Sequence, residues 1–405
     1  MDLENFNQEE LLREIKNCFT KKELEQLAKE SKFIRRNTSR LTGTSFLLMN
    51  VFDTTDGKER SLNDSCDWLE EHLGISMTKQ SLDERYNAAS VSYLKMCFNR
   101  VLQIVNKDLL NRKMDLPFSK IQLTDSTSFK IPSNLSSFYK GYAGKGGKAV
   151  LKMHLNYDFL TGSVEDIFLT DGTKNDNTYK LGRLEQIIAN ALYIRDLGYY
   201  DLTQFIKIDN AGAYFLSRGK TDAVYNIKND KGEYTRIDLA AYLPRVGQVK
   251  ELTDIYVGGN KNKVKVRLIL EGVPKKVAQQ RLKRLEANAS KSKYPVSEQR
   301  KSMCYFNVYI TNAPAESLPT SFVRLIYTIR WQIELIFKIW KSVFKIDKVR
   351  KMNIFRFESY IYSKLIAILL TLNIHNKLGQ YLWDEYDFEL SPMKAAKLIK
   401  KNSTD

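Results

Sequence analysis

The order of apolar and polar positions divides the chain into regions of different texture. From Asn5 to about Leu110 apolar residues recur at helical spacing, as in Glu9 to Phe19 and Lys22 to Lys29, with polar turns between them and no strand signal. Ser61 to Leu73, Gly74-Ile75-Ser76 and Met77 to Tyr86 read as helix, tight turn and helix. DNA-reading helix-turn-helix units share that layout with ordinary helical hairpins packed on a core. At Lys120 the period changes to two. Ile121, Leu123, Asp125, Thr127, Phe129 and Ile131 fall on one face, and Lys120, Gln122, Thr124, Ser126, Ser128 and Lys130 on the other. Strands are expected at Ala149 to Tyr157 and Val164 to Thr170, followed by a helix from Thr178 to Ala191 and a short strand, Leu192 to Asp196. A helix, Leu202 to Ile208, and a strand, Ala213 to Ser217, complete an order that predicts a mixed α/β sheet.

Between Gly219 and about Met303 the pattern breaks into short β-like pieces, Ala223 to Ile227 and Val264 to Leu270, joined by Gly- and Lys-rich turns, which reads as an insertion. Alternation returns at Tyr305 to Thr311, followed by a long helix, Ser321 to about Phe344, and a helical tail with a second apolar segment, Tyr360 to Ile374. These textures divide the chain into a helical region (1–115), the first part of an α/β core (116–218), the insertion (219–303), the rest of the core (304–350) and a helical C-terminal region (351–405).

Composition adds a partner. The 405 residues carry 64 Lys and Arg against 47 Asp and Glu, a net charge of +17, which points to a polyanion, with nucleic acid ahead of an acidic membrane surface. Val273 to Lys301 alone holds nine Lys or Arg and two Glu, a phosphate-facing surface or a solvated helix face. The greasiest run, Leu365 to Leu370, is flanked by Lys364 and Asn373 and falls short of the roughly 20 residues of a bilayer span. The acidic start, Met1-Asp-Leu-Glu, is unlike a signal peptide. Cys18, Cys66, Cys97 and Cys304 are scattered, which argues against a zinc module or a disulfide framework and suits a reducing cytoplasm. Metal chemistry here would rest on carboxylates, the ligands suited to Mg²⁺ or Mn²⁺.

One helix concentrates the candidate chemistry. At about 100° per residue, Tyr327, Arg330, Glu334 and Lys341 fall within an arc of about 60°, beside an apolar stripe of Ile326, Ile329, Ile333, Phe337 and Trp340. A carboxylate between cations beside a buried seam suits a site where a metal and a phosphate both approach. A helix with ion pairs on its wet side would carry the same residues. The spacing Tyr-x2-Arg-x3-Glu-x6-Lys should arise by chance in roughly one chain in several hundred, so the signal is specific.

That spacing, within Arg330-Trp331-x-Ile333-Glu334-x-x-Phe337-Lys338, resembles the signature of bacterial insertion-sequence transposases, the insertion sequence four family of the DDE superfamily. The resemblance makes Glu334 the third catalytic carboxylate and requires two aspartates before it at strand ends. Leu123-Thr124-Asp125-Ser126-Thr127 is similar to the family's first segment, and an unpaired Asp on the apolar side of a strand is costly without a cation. For the second, Asp196 and Asp209 compete. Asp196-Leu-Gly198-Tyr199, with Phe215-Leu-Ser-Arg218 downstream, resembles the family's pattern, whereas turn chemistry explains Asp209 before Asn-Ala-Gly212, so Asp196 is the choice. Asp158, Asp166, Asp171 and Asp176 read as turn or exposed residues, and His154 as structural.

The resemblance implies a ribonuclease H-like core with a β-rich insertion before the Glu helix, two Mg²⁺ ions held by Asp125, Asp196 and Glu334, and Mn²⁺ as a substitute. It also implies cut-and-paste transposition: metal-dependent cleavage at the element's ends, then attack of 3′-hydroxyls on target DNA. Tyr327, Arg330 and Lys341, flanked by Lys338 and Trp331 and joined by Arg218, would grip phosphates or a displaced base. Lys79, Gln80 and Arg85 would read terminal inverted repeats in double-stranded DNA. The insertion has no Trp, so base stacking there would fall to Tyr or Phe. The partners implied are element ends and target DNA, bound by at least a dimer in the synapse, with no membrane; the location implied is cytoplasmic and nucleoid-associated. A structure-specific nuclease on the same core and an inactive DNA-binding derivative are the alternatives.

Overall fold

The computed structural model describes residues 8–35, 39–55, 61–109, 117–142, 144–176, 187–220, 223–259, 262–289, 296 and 298–386. Six helices come first: α1 (Gln8–Cys18), α2 (Lys21–Glu30), α3 (Gly43–Thr55), α4 (Leu62–Leu73), α5 (Lys79–Arg85) and α6 (Ala88–Leu109). Their ends are written locally. Thr20 and Glu23 form a capping box at α2, and Ser61 and Asp64 another at α4, each contributing about 1 kcal/mol. Gly74 closes α4 with φ of 63°, a left-handed conformation that favours glycine. The connection to α5 then runs to the cap at Thr78, longer than the three-residue turn expected, because Ile75 and Met77 pack on the core instead of joining the helix. Gly43 lets α3 approach α2, since an added Cβ would lie 2.7 Å from Ala28 Cβ.

The strands form one sheet: β1 (Lys120–Lys130), β2 (Val150–Asp158), β3 (Ser163–Asp171), β4 (Ala191–Arg195), β5 (Tyr214–Arg218), β6 (Tyr225–Lys228), β7 (Tyr234–Arg236), β8 (Val249–Val257), β9 (Val264–Gly272) and β10 (Phe306–Thr311). Among the described residues the order is β3-β2-β1-β4-β5-β10-β9-β8-β6-β7. β1, β4 and β5 run parallel, and β2, β3 and β10 antiparallel to their neighbours. The insertion therefore extends the sheet edge-on through β9 and β10, and is not a separate layer.

The period-two reading of β1 assigns its faces correctly but not their exposure. Where β1 is flanked by both β2 and β4, its polar face is buried too: Gln122 and Thr124 are inaccessible and bond to Glu165 and Asn156, whereas Ser128 and Lys130 beyond β4 are exposed. Most of the helix expected at Thr178 to Ala191 lies outside the described residues; its last residues, 187–190, form a turn, and Ala191 starts β4, opposite Lys120 of β1.

Helix α7 (Leu202–Asn210) precedes β5, and α8 (Lys275–Ala289) and α9 (Glu298–Ser302) link β9 to β10. Part of the basic stretch between α8 and α9, and the tail beyond residue 386, lie outside the described residues. Two apolar clusters cover the two faces of the sheet. One joins Leu123, Leu192, Ile194 and Leu216 to the helical regions; the other joins Tyr193, Phe215, Leu268 and Ile310 to α7 and the insertion.

The single long helix expected at Ser321 to Phe344 is two, α10 (Val323–Thr328) and α11 (Trp331–Ser342). Between them, the amides of Ile329, Arg330, Gln332 and Ile333 bond three residues back instead of four, a tightening centred on the buried Arg330. Last comes α12 (Ile354–Tyr386), which packs on α3 and α6. Contrary to the sequence expectation, Ile354–Gly379 is long and apolar enough to cross a membrane, with mean hydropathy 1.2, but 78% of that window is buried inside the protein, as in a core helix. Its charge is accommodated internally: the Lys364 ammonium donates to Phe344 O at 2.6 Å and Lys345 O at 3.1 Å, just past α11, where the helix dipole favours a cation.

Candidate active site

The register of β1 and β4 creates the first half of the site. Thr124 lies opposite Arg195 in parallel pairing, so the next residues, Asp125 and Asp196, emerge side by side where β4 ends. Asp125 sits on the face shared by Ile121 and Leu123, and Asp196 begins a 3₁₀ turn, Leu197–Tyr199. The other half comes from α10 and α11. Ile333, Phe337 and Trp340 are buried in the core, which turns Arg330 and Glu334 toward the strand ends.

The Arg330 guanidinium stands at the centre. Its Nη1 donates to Asp125 Oδ2 at 3.2 Å, its Nη2 lies 3.0 Å from Glu334 Oε1, and its Nε lies 3.9 Å from Asp196 Oδ1. Tyr327 donates its hydroxyl to Asp196 Oδ1 at 3.2 Å. Burial pushes the Asp125 carboxyl up to about 6, against the pull of the Ser126 amide and Arg330, while Asp196 and Glu334 push it further up. Burial lowers the Arg330 pKa, but the surrounding Asp196, Tyr327, Asp125 and Glu334 outweigh it and hold the group above its ordinary value. Burial, and then Asp196, raises the Tyr327 phenol.

Asp125, Glu334, Phe337, Lys338 and Lys341 line an open cleft of about 600 Å³. Lys341 donates to Ser128 O at 3.1 Å, and burial lowers its pKa; Lys338 and Trp331 are exposed. Arg218 lies one ring away, its guanidinium 6.0 Å from the Tyr309 centroid, with the Tyr309 and Tyr327 rings 5.4 Å apart. Asp209 stays outside, accepting from Asn312 at the end of α7. Lys79, Gln80 and Arg85 lie on or beside α5, away from the carboxylates. Arg85 donates to Ser39 in a separate cleft of about 1060 Å³, also bordered by Lys32, Arg35 and Arg40.

Sequence reasoning missed the support beneath Asp125. Ser126 donates its hydroxyl to Asp176 Oδ1 at 2.8 Å, and Lys152 Nζ lies 2.7 Å from the same oxygen. Asp176 reads as a turn residue in the sequence because its partners are strands away. Gly198 packs closely there: an added Cβ would lie 3.1 Å from Asp176 Oδ2 and would press on that carboxylate. His154 is buried between the Tyr199 hydroxyl at 3.0 Å and Thr170 Oγ1 at 3.2 Å, and burial, helped by Lys152, lowers it to about 4, so it is a neutral spacer.

Among the described residues, no three His, Cys, Asp or Glu side chains stand together as a ready-made ligand set; the three carboxylates close on Arg330 instead. Their chemistry fits a hard divalent cation: oxygen donors only, with mutual repulsion that a cation must neutralise.

Known proteins resemble this chain along most of its length. The transposase DDE domain family matches residues 116–370. The transposase for insertion sequence element IS1151 of Clostridium perfringens is 31% identical over 401 residues, which cover 95% of this chain and 84% of that protein. The transposase for IS231F of Bacillus thuringiensis subsp. israelensis is 32% identical over 413 residues, covering 97% and 86%. A putative transposase of Escherichia coli, InsL of IS186A, is 24% identical over 263 residues, covering 62% of this chain and 65% of its own. Among solved structures, a piggyBac transposase synaptic complex with hairpin DNA covers 96% of this chain and 79% of its own at a TM-score of 0.50 and 8% identity, a likeness of fold alone.

Proposed function

Since this chain belongs to the transposase DDE domain family and is a DNA transposase, we propose that Asp125, Asp196 and Glu334 are its catalytic carboxylates and hold two Mg²⁺ ions, with Mn²⁺ as a substitute. The observation that carries this reading is the meeting of three carboxylates, from two strand ends and a helix far apart in the chain, around one buried guanidinium. Three carboxylates around a single guanidinium leave an excess of negative charge that a bound cation would neutralise. When bound there, hard divalent cations supply Lewis-acid stabilisation of phosphoryl oxygens and activation of the attacking oxygen.

The chain's own residues do the positioning. Arg330 and Tyr327 keep Asp196 and Asp125 from swinging into solvent, and Ser126, with Asp176 behind it, fixes the strand at Asp125. Lys341 and Lys338 line the cleft beside Glu334, where they hold phosphate oxygens, and exposed Trp331 offers a face for an unstacked base. Water serves first as nucleophile at the element's ends, and the 3′-hydroxyls released then attack target DNA, so the same residues serve cleavage and strand transfer.

The assignment extends to the rest of the chain. The order of β1 to β5, with β1 to β3 antiparallel and β4 and β5 parallel to β1, supports a ribonuclease H-like core over 116–218 and 304–350 with an insertion at 219–303. Lys79, Gln80 and Arg85 of the helical region 1–115 read the terminal inverted repeats, α12 of the C-terminal region 351–405 closes the core, and the protein acts as a dimer or larger on double-stranded DNA, at the nucleoid in the cytoplasm.

The test uses purified wild type and Glu334→Gln with Mg²⁺ on a plasmid carrying the gene and its natural flanks, with gel analysis of DNA ends and joined products. Excision and joining by wild type, and binding without cutting by the variant, are expected. Cutting without joining would replace this reading with a nuclease, and binding without cutting by wild type would replace it with a DNA-binding derivative.

A further inference from the structure

Where the insertion meets the core, three arginines gather beside the site. Arg324, at the start of α10, places Nη1 2.7 Å from Glu271 Oε1 of β9. Asn307 of β10 donates to Glu271 Oε2 at 2.9 Å, while its own Oδ1 accepts from Arg281 of α8 at 2.8 Å and from Arg218 of β5 at 3.4 Å. Three guanidinium groups from three elements thus share one carboxylate and one amide, with the Phe306 carbonyl accepting a further, long bond from Arg281 at 3.4 Å. The donor capacity is far from used: the Arg218 Nε has no hydrogen-bond partner among the described residues, and the Arg324 side chain is 67% exposed despite its ion pair. A cluster built only for stability would balance its charges, since each unpaired guanidinium in a half-buried site loses hydration without compensation.

We propose that Arg324, Arg281 and Arg218, preset by Glu271 and Asn307, form a second phosphate site that grips the DNA backbone next to the bond being cut. The inference rests on the transposase reading of the carboxylate site and adds to it a subsite built across the insertion and the core. Its place follows from the aromatic bridge: Arg218 lies against Tyr309, Tyr309 against Tyr327, and Tyr327 bonds to Asp196. A strand whose scissile phosphate lies at Asp196 therefore continues toward the arginines, and guanidinium forks suit its phosphate oxygens. Glu271 acts as a placeholder anion that keeps Arg324 oriented until a phosphate replaces it.

Opposite responses on the two sides of the same ion pair test this. Affinity for a generic duplex and for the natural flank is measured against salt for wild type, Arg324→Ala, Arg324→Lys, Arg281→Gln and Glu271→Gln, each checked for folding by thermal melting. Arg324→Ala and Arg281→Gln are expected to weaken binding several-fold and to reduce the slope of log affinity against log salt by about one each, with Arg324→Lys keeping the slope. Glu271→Gln is expected to bind several-fold more tightly, because it removes the carboxylate that pairs with Arg324 and competes with phosphate for it. Unchanged slopes in the arginine variants, or weaker binding by Glu271→Gln with normal melting, would overturn the proposal and leave a structural network. Because the generic duplex needs no cutting, a protein that never excises its flanks counts against the catalytic reading alone, and unchanged slopes count against the phosphate site alone.

Discussion

The two halves of the ten-stranded sheet are hydrogen-bonded as one surface, yet they use their side chains in opposite ways. In β1 to β5 both faces are covered. Leu192 and Ile194 of β4 enter one apolar cluster and Ala191 and Tyr193 the other, and buried polar groups such as Thr124 and Asn156 pair with each other. In the half added by the insertion the second face is largely polar, with buried Ile269 of β9 the apolar exception on that strand. Val264, Val266, Leu268 and Leu270 of β9 are buried, while Lys265, Arg267 and Glu271 alternate with them, and β7 is exposed throughout. Thus the anionic chemistry lies where packing holds backbone and side chain fixed, and much of the exposed cationic chemistry lies where water reaches. A reaction that needs its carboxylates placed to within fractions of an ångström, and a long polyanion that must slide in and out, make these different demands.

The largest effect should come from the fixed half. Glu334→Gln keeps the shape of α11 but removes one of the three charges, so DNA cleavage should fall on the order of a thousand-fold while affinity for DNA changes less than a few-fold. Single-turnover cleavage assays beside binding titrations measure both. Cleavage within ten-fold of wild type would remove Glu334 from the site. Next comes Arg330→Ala, which strips the buried cation from between three carboxylates. Breaking such a cluster costs about 3–5 kcal/mol. The melting temperature should drop sharply without divalent cations and recover in part with Mg²⁺, if the carboxylates can take a metal in its place. An unchanged melting temperature in both conditions would mean that the cluster is not held by its charges.

Legibility in the sequence follows the same division. Asp125 and Asp196 were proposed because their segments resemble the family's, alternation adding only that Asp125 shares the apolar face of β1, and Arg330 and Glu334 because helical spacing keeps them together. What sequence did not carry was the break at Ile329 and Arg330, since both keep right-handed helical dihedrals and only the hydrogen-bond partner changes. Nor could it reveal that Arg330 serves the carboxylates first, because residues about two hundred positions apart leave no local pattern. Asp176 was passed over for the same reason. The extension of the sheet was hidden because β8 carries charges on a weak alternation, Val249-Lys-Glu-Leu-Thr-Asp-Ile, with a bulge between Leu252 and Ile255. The apolar length of α12 was hidden by polar residues, Ser359, Ser363 and Asn373, that the core buries anyway.

A third prediction concerns acid. His154 is neutral and buried, with Tyr199, Thr170, Lys152 and Asp176 around it, and its pKa is lowered from 6.5 to about 4. Between those values the unfolded chain binds the proton that the folded chain refuses. Stability is therefore complete above about pH 6.5 and falls as pH drops toward 4, by roughly 2–3 kcal/mol from this group. Melting curves from pH 7.5 to 4.5 should show a shallower decline for His154→Gln than for wild type. Parallel declines would mean that the ring is not the group that acid attacks.

The smallest effects belong to the outer half, and two ion pairs there separate structure from solvation. Arg267 of β9 bonds to both oxygens of Glu251 on β8 and to the carbonyls of Ala313 and Leu318, tying the insertion to the segment that leads into α10. Its side chain is 12% exposed, so Arg267→Ala leaves four partners, the Thr320 hydroxyl among them, short of a donor and should cost about 1–2 kcal/mol. Two residues earlier, Lys265 pairs with Asp254 at 2.6 Å, but both side chains are more than half exposed, and Lys265→Ala should change stability by less than about 0.5 kcal/mol. Urea unfolding of the two variants at one pH measures the difference. If they matched, the outer half would be a loose appendage and the path from insertion to α10 would carry no load. If Arg267→Ala alone lost stability, and the loss reached α10, the insertion would act on the Glu334 helix through this arginine while its exposed cations remained free for DNA.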